Sequence, residues 1–111
     1  MTWDDALERL VKNGVYITRI AWRTHCDEVG HYVRKATRDE PGLFTFVYWD
    51  TIPKRPPAMF TPEQDDFDAA DWHLLMPKFV ERMEPVYDAY RAAVDAISNE
   101  IGCGLIRRDQ A

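Results

Sequence analysis

The chain has 111 residues, 46% hydrophobic and 30% charged, which is one domain's worth of chain with enough apolar material for a single core. Its formal net charge of −5 argues against polymeric DNA or RNA as the partner, because such binding rests on phosphate neutralisation by a basic surface. A small anion held by two or three local arginines remains compatible with that charge. No apolar run is long enough to span a membrane, and Met1-Thr2-Trp3-Asp4-Asp5 does not read as a signal peptide. A cytoplasmic protein is therefore expected, with Cys26 and Cys103 as reduced thiols.

In chain order, Thr2 followed by Asp5 makes a variant capping box. Trp3, Ala6, Leu7, Leu10 and Val11 then recur at helical spacing, with Asp4 and Asp5 in the first turn and Lys12 in the last. Asn13-Gly14 ends this helix, Gly14 being free to take the left-handed conformation. Residues 15–22 are β-branched and aromatic and read as a strand. Alternation puts Val15, Ile17, Arg19 and Ala21 on one face and Tyr16, Thr18, Ile20 and Trp22 on the other. Both faces carry apolar groups, so a cover on each side is expected. Arg19 then needs an acidic or phosphate partner, since an unpaired buried guanidinium is costly.

Residues 23–31 form a polar loop, and residues 32–37 and 43–49 a hairpin around Arg38-Asp39-Glu40-Pro41-Gly42. Residues 50–59, with Pro53, Pro56 and Pro57, read as an extended loop. A short helix over 62–70 follows, with Thr61 as cap, Pro62 in its first position and Gln64 closing a capping box. Residues 71–75 form the last strand. Beyond Pro77, a stripe of Phe79, Val80, Met83, Val86, Tyr87, Tyr90, Val94, Ile97 and Ile101 marks a long amphipathic helix. Pro85 is expected to kink or split it, and Gly102 and Gly104 to close it before a tail. The fold expected is α+β: an N-terminal helix packed on a small antiparallel sheet, a short inserted helix and a long C-terminal helix. Residues 1–76 form the main unit, and residues 77–111 a helical extension packed on it.

Catalytic and metal patterns are weak. The group His25, Cys26, Asp27, Glu28 and His31 has competent ligands, but its spacing matches no zinc pattern. Cys26 beside His25 does not make a dyad, because sequence neighbours usually point apart. Ser98 is the only serine, and no glycine run cradles a phosphate. The acids Glu63, Asp65, Asp66, Asp68 and Asp71 lack a calcium-loop pattern and read as a solvated helix face. No catalytic residue, metal ligand or cofactor is assigned. Arg19, Trp22 and Arg23 support two readings. The ring and guanidinium groups suit stacking on a base and holding a pyrophosphate. On residue types alone the preferred reading is that Trp22 anchors the sheet while Arg19 pairs with Asp71 or a neighbouring acid.

Two spaced motifs separate these readings. Trp3-x-x-Ala6-Leu7 leads into Gly14-x-x-x-x-Arg19-x-x-Trp22, and Phe60-x-Pro62 into Asp66-Phe67-x-Ala69-x-Asp71-Trp72. Together they resemble the second Thoeris anti-defence family of phage proteins, over residues 1 to about 76. Glu63 stands where that family often has Ser after the proline, and Arg23-Thr24 where Asn-Gly commonly follows the tryptophan. These departures fall near the expected pocket and leave room for a different preferred ligand. The resemblance implies a homo-oligomer (dimer or tetramer) that binds a glycocyclic ADP-ribose type of immune signal without cleaving it, in the host bacterial cytoplasm. The expected ligand-binding residues are Arg19, Trp22, Arg23, Phe60, Thr61, Asp71 and Trp72. A nucleotide-processing enzyme using His25, His31 or the acidic helix, and a protein-interaction module, are the alternatives.

Overall fold

A computed structural model describes residues 1–23 and 29–110, with side chains in the C-terminal helix described to residue 99. The first helix, α1, spans Trp3–Asn13. Thr2 Oγ1 accepts the Asp5 amide at its start, and Gly14 closes it with φ 67° and an amide donated to Leu10 O at 3.2 Å. Trp3, Ala6 and Leu10 face inward; Val11, read from the sequence as part of that stripe, is 52% exposed. Its position lies at the margin of the apolar arc, and only Leu7 on that side reaches the core.

Five antiparallel strands follow: β1 Tyr16–Arg19, β2 Tyr32–Lys35, β3 Phe44–Val47, β4 Ala58–Met59 and β5 Trp72–Leu75. Their order in the sheet is β4-β3-β2-β1-β5. The hairpin of β2 and β3 pairs Val33 with Phe46, and its turn ends on Gly42 with φ 77°. The two-residue β4 was not apparent in the sequence, where residues 50–59 read wholly as loop; it pairs Ala58 with Phe46 and Met59 with Thr45. The proline-rich stretch leads the chain to the sheet edge, where a missing amide is tolerated.

The sheet is covered on both faces, as the apolar groups on both sides of β1 require. On one face α1 packs Trp3, Ala6 and Leu10 against Ile17, Val33 and Trp72. On the other, Val29, Tyr32, Trp49 and Leu75 meet Val80 and Tyr87 of the C-terminal helix α3, Pro77–Gln110. The fold is thus α+β, with the helix order read from the sequence.

The hairpin strands and the last strand are shorter than that reading, and three other elements depart from it further. The strand over 15–22 stops at Arg19, and Ile20–Trp22 forms a 3₁₀ turn. That change of period carries Trp22 to the α1 side, with Ile17, instead of the Tyr16 side. The short helix α2 is Gln64–Asp68, not 62–70, and its capping box joins Glu63 and Asp66 instead of Thr61 and Gln64. Helix α3 continues through Pro85 without splitting, and its backbone runs past Gly102 and Gly104 to Gln110 where a tail was expected. A helix of this length spans about 50 Å at 1.5 Å per residue. It accounts for the long axis of the molecule, 60 Å against 26 Å in both other directions. Among the described residues, no helix is long and apolar enough to cross a membrane.

Candidate functional site

The two motifs, far apart in sequence, meet at one end of the sheet. The β1–β5 ladder sets Arg19 opposite Trp72, which places Asp71 beside the guanidinium. Arg19 Nε donates to Asp71 Oδ1 at 2.9 Å, and Arg19 Nη1 to Asp66 Oδ1 at 3.2 Å. The other oxygen of Asp71 accepts the Ala21 amide at 3.2 Å. The other oxygen of Asp66 accepts the Glu63 amide at 2.9 Å, and its carbonyl accepts Trp72 Nε1–H at 3.0 Å. The single turn of α2 delivers Asp66 to both Arg19 and Trp72.

Burial works against charge on both partners of this cluster. For Arg19 the hydrogen bonds and attraction of Asp71 and then Asp66 outweigh burial and hold the guanidinium above its ordinary pKa. For Asp71 the Arg19 hydrogen bond and the Ala21 amide outweigh burial and hold the carboxyl below its ordinary value. Asp66 and Asp71 are therefore not members of a solvated acidic face, as the sequence suggested, although Glu63, Asp65 and Asp68 are exposed.

Rings pack round the ion cluster. The Arg19 guanidinium carbon lies 5.9 Å from the ring centroids of both Trp22 and Trp72. Trp22 stands edge-on to Trp72 at 5.1 Å, to Phe46 at 5.1 Å and to Phe60 at 6.1 Å. Trp3 reaches the same assembly, 5.2 Å from Trp72 and 6.2 Å from Phe60. Edge-to-face contacts of this kind fix each ring's plane.

Above this floor opens a cleft of about 360 Å³ lined by Trp22, Phe46, Tyr48, Met59, Phe60, Thr61, Glu63 and Asp66. Of the residues expected to bind ligand, Trp22, Phe60 and Thr61 line it. Arg19, Asp71 and Trp72 lie beneath it as its support. Arg23 follows the 3₁₀ turn, and Gly30 passes so close that a β-carbon there would lie 2.8 Å from Arg23 Cγ and 3.1 Å from its Cα. Glycine at position 30 is what permits that approach. The group His25, Cys26, Asp27 and Glu28 lies outside the described residues.

Phe46, Tyr48, Met59 and Asp66 were not among the expected site residues. Phe44, Phe46 and Tyr48 alternate along the β3 segment, and period two was the available signal that they share the Val33 face. His31, also from the polar loop, sits 5.6 Å from both Phe46 and Tyr48, with Nδ1 2.9 Å from Oδ1 of the buried Asp50. Burial lowers its pKa; Asp50 opposes that shift and Arg55 adds to it.

No protein-family model, no curated protein and no solved structure matches this chain.

Proposed function

We propose that this protein binds a cyclic nucleotide signal of the glycocyclic ADP-ribose type in the Trp22–Phe60 cleft and sequesters it intact. In this reading it is a phage anti-defence protein, acting in the host bacterial cytoplasm, that keeps the signal from its effector. It is not an enzyme. The observation that carries the reading is the convergence of the two motifs. Arg19 and Trp22 from one, and Phe60, Asp66, Asp71 and Trp72 from the other, build a single cluster beneath and around the cleft.

The chemistry of the lining agrees with a flat, polar ligand. Four aromatic side chains offer faces and edges for a base, and the exposed Thr61 offers a hydroxyl to a ribose. The rings are already braced by one another and by Arg19, so little ordering is required on binding. Homo-oligomerisation belongs to the same reading. It is supported by Val86, Tyr90 and Ile97 on α3, which are 60%, 46% and 54% exposed although they continue a stripe that is buried at Val80 and Tyr87.

Incubation with a panel of cyclic nucleotides, removal of unbound ligand and heat release tests the proposal. Recovery of unaltered glycocyclic ADP-ribose supports sequestration. A converted product indicates a nucleotide-processing enzyme, and no retained nucleotide leaves the interaction module.

A further inference from the structure

We infer that Arg55, in the proline-rich loop before β4, is the group that recognises the phosphates of a ligand in the cleft; this rests on the nucleotide reading above. Arg19 is the cation that the motifs put forward, but its Nε and Nη1 are already committed to Asp71 and Asp66. Two carboxylates neutralise it, and two tryptophan rings flank it. Its place is beneath the cleft, among the groups that support the lining. A phosphate approaching from above meets Glu63 and Asp66 at that end, so an anion needs a cation at the other.

Arg55 is not itself part of the lining but stands next to it, on the Tyr48 wall. Its guanidinium carbon lies 4.1 Å from the ring centroid of Tyr48, a wall of the cleft. The side chain is exposed, and among the described residues its guanidinium has no carboxylate partner. Stacking on a ring leaves the N–H edge of a guanidinium available in its own plane, and that fork matches two phosphate oxygens.

The loop holds this geometry by a local device. Thr51 Oγ1 donates to the Tyr48 carbonyl at 3.4 Å and accepts the Arg55 amide at 3.0 Å, so one hydroxyl closes the chain between the ring and the cation stacked on it. Tyr48 is itself set by Phe46 at 4.8 Å. The cleft thus has carboxylates and Thr61 near α2 and rings beyond them, with the Arg55 guanidinium stacked on the Tyr48 ring next to the lining.

Calorimetry of the full chain with glycocyclic ADP-ribose at several salt concentrations tests the inference, comparing the parent with Arg55→Gln. The expected result is binding at least about tenfold weaker in the variant, with an unchanged Tm and a salt dependence reduced by about one phosphate contact. A parent that binds and an Arg55→Gln variant that binds within twofold, with the same salt slope, overturns the role of Arg55 and leaves the nucleotide reading standing. A parent that binds no glycocyclic ADP-ribose overturns both. Thr51→Val, which keeps the side-chain shape and removes the hydroxyl, is expected to weaken binding in the same direction and to lower the salt slope as Arg55→Gln does. An unchanged slope shows that the Thr51 hydroxyl does not set the Arg55 fork.

Discussion

Arg19 and Asp71 stand 2.9 Å apart, Nε to Oδ1, because strands from opposite ends of the main unit pair directly in the sheet. Arg19 lies opposite Trp72, so the residue before Trp72 falls against the guanidinium. The pair is partly buried, with 18% and 30% of the two side chains exposed. Removing one partner leaves the other charge poorly solvated, while the intact pair adds little over an apolar replacement.

Asp71→Ala is therefore expected to destabilise the fold by about 2–3 kcal/mol, more than an exposed ion pair is worth. Denaturant titration of the single variants and of Arg19→Ala/Asp71→Ala measures the coupling. A coupling energy near zero means that Arg19 is held by Asp66 alone. Because the Asp71 carboxyl is depressed in the fold, its contribution is present above the ordinary carboxylate range and is lost as pH falls through the folded value.

Trp22 has a double role, in the cleft and in the ring cluster with Phe46, Phe60 and Trp72. Trp22→Ala is expected to cost about 2–4 kcal/mol of stability through the cavity it leaves. Trp22→Phe keeps most of the packing and is the better probe of the site. It is expected to stay folded and to weaken cyclic nucleotide binding by about 1 kcal/mol, within the range for a base stacked on a ring. Equal affinity of the folded Trp22→Phe and parent proteins by calorimetry places the base elsewhere.

Glu40 closes the β2–β3 hairpin. It accepts both Arg34 Nη1 and Nη2, at 2.6 and 2.9 Å, the Thr37 amide at 2.8 Å and Thr45 Oγ1 at 3.0 Å. The Arg34 bonds, and then the Thr37 amide, hold its carboxyl down to about 2. The folded value lies below the unfolded one, so the stabilisation is complete above the ordinary carboxylate pKa of about 4.3 and is lost as pH falls toward 2. Thermal melts from neutral pH to pH 2 should show Glu40→Gln less stable than the parent at neutrality, with the gap closing through that window. A gap independent of pH contradicts the assignment.

The stripe on α3 tests self-association. Light scattering of the parent at micromolar concentration is expected to exceed the 13.0 kDa of one chain. Ile97→Glu alters a residue that is 54% exposed in the single chain. It should reduce the mass without lowering the Tm of the core, since surface changes away from packing are nearly neutral. A 13.0 kDa parent removes this surface from consideration.

Much of the architecture was legible locally. The Thr2 cap, the Trp3–Ala6–Leu10 stripe and the left-handed Gly14 are short-range signals, and α1 begins and ends where they place it. The apolar groups on both sides of β1 called for two covers, and α1 and α3 supply them. Even the need of Arg19 for an anionic partner follows from its neighbours, because the cost of an unpaired buried guanidinium is independent of the fold.

Which anion meets that guanidinium was decided only by the tertiary structure. The β1–β5 register selected Asp71, and the capping box on Glu63 turned Asp66 inward, so a run of acids that reads as a uniform polar face divides into two inward carboxylates and three exposed ones. The 3₁₀ turn at Ile20 moved Trp22 across the sheet, which no alternation rule anticipates, because its period applies only while the strand lasts. The cleft likewise depends on β4, two residues long and recognisable only by the strand it pairs with. Periodicity, caps and composition report what each residue needs from its surroundings; strand register and the breaks between elements decide which distant residue meets that need.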